Sequence, residues 1–157
     1  MTSPWERVSS SPDETLALGR VLGSLMHGSD FVALTGPLGA GKTQLIKGLA
    51  AGLGVPVNEP VVSPTFVLVR EYAGRLTLYH IDAYRLGGPD ELLALGLEEM
   101  CAEANAVVAV EWADRTAAAV PPHACWIELE HAGRQSRRIR IRWPDEQRIV
   151  ELRTQLA

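Results

Sequence analysis

The sequence predicts a three-layer α/β domain with a mostly parallel central sheet, helices on both faces and antiparallel hairpins extending the sheet. Three observations carry that expectation. The stretch Gly36-Pro37-Leu38-Gly39-Ala40-Gly41-Lys42-Thr43 fits G-x-x-x-x-G-K-[ST], a phosphate-binding loop that requires a strand before it and a helix after it. The run Ala106-Val107-Val108-Ala109-Val110 is apolar at every position, as in a strand buried on both faces of a parallel sheet. Two pairs of β-rich runs are separated by short turn-forming stretches, the pattern of hairpins.

The elements follow in order. Ser11-Pro12-Asp13-Glu14 predicts a helix start, with Ser11 as N-cap, Pro12 in the first turn and Glu14 closing a capping box. Leu16, Leu18, Val21, Leu22 and Leu25 supply its buried face, and the helix is expected to end near Gly28. Phe31 to Thr35 is the strand that feeds the glycine-rich loop. Thr43 to Gly54 is the helix that leaves it, with Leu45, Leu49 and Leu53 on one face.

Pro56, Pro60 and Pro64 exclude a helix from the next ten residues and predict an ordered or switchable loop. Thr65 to Tyr72 and Leu76 to Ile81 form a hairpin around Ala73-Gly74-Arg75, and the second run ends at Asp82. Pro89 to Met100 reads as one helix with Pro89 early in its first turn. The apolar strand at 106–110 ends in Glu111-Trp112. Trp126, Ile127 and Leu129, then Ile139, Ile141 and Trp143, make a second hairpin, with its turn at His131-Ala132-Gly133. A short helix closes the chain from about Asp145 to Leu156.

Length and composition bound the function. A chain of 157 residues is expected to form a single domain over residues 1–157 with a substantial core. Fifteen Lys and Arg against 19 Asp and Glu give a net charge of −4, which argues against broad nonspecific nucleic-acid binding. No run of about 18 apolar residues is present to span a membrane, and the N-terminal residues lack the apolar core of a signal peptide. A soluble, cytoplasmic protein is expected. Cys101 and Cys125 are too few for a disulfide framework or a metal site and read as buried small hydrophobes.

The phosphate-binding loop sets the chemistry. Its glycines let successive N–H groups point inward around phosphates. Lys42 reaches the β- and γ-phosphates, the Thr43 hydroxyl holds Mg²⁺, and the helix that follows directs its positive end at the same anion. Hydrolysis also needs acids near the metal. Ligands of open α/β sheets sit at the carboxyl ends of strands, where Asp82 and Glu111 both lie. Asp82 reads either as one of those acids or as a turn cap, and Glu111 as the other acid or a solvated strand-end residue. Trp112 reads as core or as a platform beside the nucleotide. The loop Ser63-Pro64-Thr65 is ordinary turn chemistry, and also places a threonine hydroxyl where switch loops meet the metal or γ-phosphate. His80 and His131 lack metal-ligand spacing and read as packing or surface residues. Arg134, Arg137, Arg138, Arg140 and Arg142 read either as the solvated face of a hairpin or as a surface for an acidic partner or tRNA backbone.

Taken together, Gly39-Ala40-Gly41-Lys42-Thr43, Ser63-Pro64-Thr65-Phe66, Tyr79-His80-Ile81-Asp82-Ala83-Tyr84-Arg85-Leu86, Glu91-Leu92 with Gly96-Leu97, and Val110-Glu111-Trp112 resemble the TsaE (YjeE) family. The resemblance spans roughly residues 11 to 152. It implies a P-loop NTPase fold and the ATPase of the bacterial machinery that makes N6-threonylcarbamoyladenosine in tRNA. By position it implies ATP bound by Gly36 to Thr43, Mg²⁺ held by Thr43 and Glu111 with Asp82 as the other acid, Thr65 as the switch residue and Trp112 beside the nucleotide. The family's further nucleotide contacts, from the start of the first helix and from an arginine of the last hairpin, fall nearest Ser11 and Arg137. The implied partners are the TsaB and TsaD proteins, with tRNA reached through their complex. Pro37 and Ala83 depart from the residues common at their positions, an acidic or polar residue and a large apolar one.

Competing classes are a small P-loop kinase acting on a small molecule, a GTPase switch and a non-catalytic nucleotide-binding module. A kinase needs a lid and an acceptor site, for which the proline loop and hairpin before Asp82 leave little room. A GTPase of the switch type carries Asn-Lys-x-Asp, which is absent from this sequence.

Overall fold

The computed structural model describes residues 4–64 and 67–157. Its seven-stranded sheet contains the strand β5 (Ala106–Glu111), buried at every position as its unbroken apolar run requires. This strand lies parallel to β2 (Phe31–Thr35) on one side and β4 (Thr77–Asp82) on the other. Beyond β2 comes β6 (Cys125–His131), also parallel, then β7 (Arg137–Arg142) and β1 (Trp5–Ser9), both added antiparallel. Beyond β4, β3 (Val69–Tyr72) closes the other edge antiparallel, giving the order β1-β7-β6-β2-β5-β4-β3. This is the P-loop NTPase architecture expected: a mostly parallel centre carrying antiparallel hairpins.

Alternation along the central strands divides the core in two. Val107 and Ala109 of β5, with Val32 and Leu34 of β2, face α1 (Pro12–Ser24) and α2 (Lys42–Gly52). Val108 and Val110, with Phe31 and Ala33, face α3 (Pro89–Ala94) and α4 (Leu97–Ala102). The same parity puts Leu78, His80 and Asp82 of β4 on one face of the sheet. Leu78 belongs to the α1–α2 core, so this is the side from which α2 rises out of the P-loop. The last helix, α5 (Glu146–Gln155), covers the β6–β7 end through Leu152.

Helix α1 begins as the sequence predicts. The Ser11 hydroxyl accepts the Glu14 N–H at 3.2 Å, while the Glu14 carboxylate accepts from the N–H of Ser10, one residue earlier than a standard capping box. The helix stops at Ser24, short of the expected end near Gly28. Packing of α1 on α2 is close enough that a Cβ on Gly48 would stand 2.1 Å from the Leu16 carbonyl oxygen, and one on Gly19 would stand 2.3 Å from that of Leu45. Leu16 and Val21 are only half-buried, because the small residues carry the centre of this contact.

Three expectations need correction. The single helix over 89–100 is two helices, because Gly96 takes φ 90° and restarts the chain as α4. Strand β1 has no counterpart in the sequence reading; its residues alternate only weakly and it pairs at an edge, against β7. A 3₁₀ segment, Ala113–Ala119, follows Trp112, where no element was expected. No described helix is long and apolar enough to cross a membrane. Cys125 is buried and Cys101 half-buried, and burial pushes both thiols up.

Candidate active site

The P-loop grows from the end of β2. Gly41, at φ 96°, turns the chain into α2 in a left-handed conformation that favours glycine over a residue with a Cβ. The next residue, Lys42, is 5% exposed. Its Nζ donates to the carbonyls of Gly36 at 2.5 Å and Pro37 at 3.0 Å, and lies 4.0 Å from the centre of the Trp112 ring. Burial lowers its pKa below the usual lysine value, against the opposing pull of Glu111, Asp82 and Asp114.

Facing the P-loop are the ends of β4 and β5. Their register sets Asp82 beside Glu111, and both are buried. Glu111 uses its two carboxylate oxygens differently: Oε1 accepts from the Thr43 hydroxyl at 3.2 Å, and Oε2 stands 2.6 Å from His80 Nε2. Asp82 accepts the Tyr84 N–H on Oδ1 and the Ser63 hydroxyl on Oδ2, each at 2.9 Å. Asp82 therefore caps a turn and also ties the proline loop to the sheet. Ser63 and Asp82 have further interactions besides these.

These groups line one cleft of about 470 Å³, walled by residues 38 to 44, Ser63, Asp82, Tyr84, Glu111 and Trp112. Trp112 adopts φ 59°, uncommon for a bulky side chain. Its ring meets that of Tyr84 in a tilted contact, at 53° with centroids 5.0 Å apart, and the Arg115 guanidinium lies 5.0 Å from the centre of the Tyr84 ring. Trp112 is thus a half-buried aromatic wall of the cleft, with a cation on it.

The remaining sequence candidates lie around this cleft. Gly36 sits beneath it and receives the Lys42 ammonium. Ser11 caps α1, which is joined to the P-loop helix by the Gln44 amide donating to the Pro12 carbonyl at 3.3 Å. Arg137 lies along the outer side of the P-loop, donating to the Gly39 carbonyl at 3.1 Å. Neither Ser11 nor Arg137 lines the cleft. Thr65, the switch candidate, lies outside the described residues. Two further arginines of the hairpin form an ionic lattice with glutamates: Arg138 with Glu130 and Glu6, and Arg140 with Glu6 and Glu128. This face carries both signs of charge, as a solvated sheet surface does, and its exposed pairs contribute little to stability.

Two contributors escaped the sequence reading. His80, expected as a packing or surface residue, is fully buried and bonded to Glu111. Tyr84 makes the tilted ring contact with Trp112. The signal for His80 was its spacing: His-x-Asp on a strand puts both side chains on the face that Glu111 shares.

The donor set suits a hard cation. A hydroxyl and two carboxylates offer oxygen ligands, the preference of Mg²⁺. Among the described residues no three His, Cys, Asp or Glu cluster tightly enough to hold a metal by themselves. That agrees with the usual Mg²⁺ arrangement, in which one or two carboxylates share the ion with substrate phosphates.

Comparison with known proteins gives a consistent answer. The family model described as "TsaE: Threonylcarbamoyl adenosine biosynthesis protein TsaE" matches residues 9–139. The tRNA threonylcarbamoyladenosine biosynthesis protein TsaE of Treponema pallidum is 40% identical over 134 residues, covering 85% of this chain and 97% of the relative. Its counterpart in Bacillus subtilis is 39% identical over 136 residues, covering 86% and 82%. The crystal structure of Bacillus subtilis YdiB superposes with a TM-score of 0.83 at 31% identity, over 100% of this chain and 99% of that one. The chain belongs to the TsaE family of threonylcarbamoyl adenosine biosynthesis proteins.

Proposed function

We propose that this chain is a Mg²⁺-dependent ATPase of the cytoplasm, slow alone, that drives the cycle of the complex making threonylcarbamoyladenosine beside the tRNA anticodon. The observation that supports it most is the convergence of three oxygen-bearing side chains, Thr43, Glu111 and Asp82, on a P-loop whose lysine is buried beneath them. Family membership and the names of the relatives point to the same modification.

In this reading the P-loop N–H groups and the N-terminus of α2 receive the triphosphate of ATP. Lys42 leaves the carbonyls of Gly36 and Pro37 for the β- and γ-phosphates, exchanging two neutral acceptors for an anionic one. Trp112 forms the wall beside the nucleotide. Thr43 and Glu111, with Asp82, would hold Mg²⁺, which neutralises charge building on the phosphate oxygens during transfer to water. Asp82 also grips Ser63, so rearrangement at the γ-phosphate reaches the proline loop directly. Thr65 would complete that switch, changing the affinity of the loop for its partners. Those partners are TsaB and TsaD, and tRNA is reached through them.

The experiment is reconstitution of tRNA modification with TsaB, TsaD and this chain, counting modified tRNA per complex and ATP consumed. The proposal expects hydrolysis accelerated by both partners together, and modification that stalls early without this chain. Repeated rounds without it, or with Glu111→Ala in its place, would overturn the proposal. Phosphate appearing on a small-molecule acceptor instead of in water would establish a kinase.

A further inference from the structure

The geometry points to His80 as a positioning residue that fixes the Glu111 carboxylate for the metal, an inference that rests on the Mg²⁺-dependent reading above. His80 is 0% exposed, and its Nε2 stands 2.6 Å from Glu111 Oε2. Its other ring nitrogen, Nδ1, is buried without a hydrogen-bond partner among the described residues. A proton on Nδ1 would be a buried donor lacking an acceptor, whereas a bare Nδ1 leaves only an unused lone pair. The ring is therefore the Nε2–H tautomer, and it donates to Glu111.

The sheet makes this hydrogen bond possible. In register, His80 stands beside Ala109, and Glu111 lies two residues further along β5 on the same face. The short side chain of Ala109 leaves the imidazole free to reach diagonally to the carboxylate. With Oε2 held by His80, the carboxylate cannot rotate, and Oε1 is the oxygen presented to Thr43 at 3.2 Å. A metal at Thr43 would then meet Glu111 through one oxygen of fixed direction. Outer partners that orient a ligand typically change metal affinity by about 10- to 100-fold when removed.

The test uses the full chain with a non-hydrolysable ATP analogue and Mn²⁺, reading bound Mn²⁺ by electron paramagnetic resonance. His80→Leu removes the donor and keeps an apolar filler. His80→Gln restores an N–H at similar reach. The inference expects Mn²⁺ affinity to fall about tenfold or more in His80→Leu and to stay within about threefold of wild type in His80→Gln, while metal-free analogue binding is unchanged in both. Equal Mn²⁺ affinity in all three proteins, or an equal loss in both variants, overturns the inference. If His80→Leu does not fold, long-range ¹H–¹⁵N correlation spectra of the wild type decide: a protonated Nε2 supports it, and a protonated Nδ1 overturns it. Absence of nucleotide-dependent Mn²⁺ binding in the wild type would instead remove the Mg²⁺-dependent reading itself.

Discussion

The Thr43 hydroxyl stands 3.2 Å from Glu111 Oε1, although 68 residues separate them in the chain. One belongs to the first turn of α2 and the other to the last position of β5, so parallel pairing of β2 with β5 brings them together. Removing either side chain tests whether the contact is a metal seat or a structural bond. Thr43→Ala and Glu111→Ala should each lower Mg²⁺-dependent ATP hydrolysis by at least about tenfold. Nucleotide binding should survive in part through the P-loop backbone, and Asp82→Asn should behave in the same way. Calorimetry and phosphate release measured side by side would check this; wild-type turnover in both acid variants would make the carboxylates structural.

Lys42 offers a second separation, between binding and folding. Its ammonium is held by the backbone carbonyls of Gly36 and Pro37 and by the Trp112 ring. Lys42→Ala should therefore leave a folded chain while weakening ATP binding by about 2–3 kcal/mol or more, the scale of a charge-assisted hydrogen bond to phosphate. An unchanged dissociation constant would take the P-loop out of the mechanism.

The same lysine predicts a pH dependence. Burial lowers its pKa before ATP arrives, and phosphate charge raises it afterwards. Between the two values binding takes up a proton. From neutral pH upward, ATP affinity should thus fall as pH rises through the depressed value, which lies below the ordinary 10.5 of lysine. Titrations from neutral to alkaline pH in two buffers of different ionisation enthalpy would detect both the decline and the proton uptake. Affinity that holds level to pH 10.5 would contradict it.

The parts of this molecule legible in the sequence are those where one residue type has few alternatives. The glycine-lysine-threonine loop, the apolar run of β5 and the acids ending β4 and β5 each follow from a local constraint, and strand parity then brings them to one cleft. Relations between distant elements were less legible. Strand β1 exists because β7 offers it an edge, which its own five residues do not announce. The break at Gly96 competes with a helical pattern that runs through it, and backbone geometry wins. His80 looks ordinary alone; its bond to Glu111 appears only when the register of β4 on β5 is known. Arg137 sits against the P-loop because the hairpin turn folds back over Gly39, a placement that spacing within an arginine run does not encode.

Close approach of α1 to α2 depends on the lack of a side chain at Gly48. A methyl group there would stand 2.1 Å from the Leu16 carbonyl oxygen, a backbone atom that cannot turn aside. Gly48→Ala should destabilise the fold by about 1–3 kcal/mol even though alanine favours helix more than glycine does. For a chain of this size that corresponds to a melting temperature lower by roughly 2–12 °C. A variant as stable as wild type would mean that the helices part without cost.

Arg148 anchors the last helix to Asp30, the residue that precedes β2, and its partners define the final prediction. Its guanidinium meets both carboxylate oxygens of buried Asp30, bonds Asp145 at 2.8 Å through Nε, and lies 4.2 Å from the centre of the Trp143 ring. Burial works against its charge, but the bonds to Asp30 and then Asp145 outweigh it and hold the group protonated. Breaking a buried pair from one side leaves the other charge without compensation, at a cost of about 3–5 kcal/mol. Arg148→Met should therefore destabilise strongly, because Asp30 stays buried without its counter-ion. Asp30 also accepts the His27 N–H at 2.6 Å, so Asp30→Asn keeps an acceptor there while removing the charge. The double variant Asp30→Asn/Arg148→Met should accordingly be more stable than Arg148→Met alone, with ATP affinity near wild type in the folded fraction, since neither residue lines the cleft. Urea unfolding of both single variants and the double variant gives the coupling directly. Strictly additive losses would show that the ion pair is not what holds α5 in place.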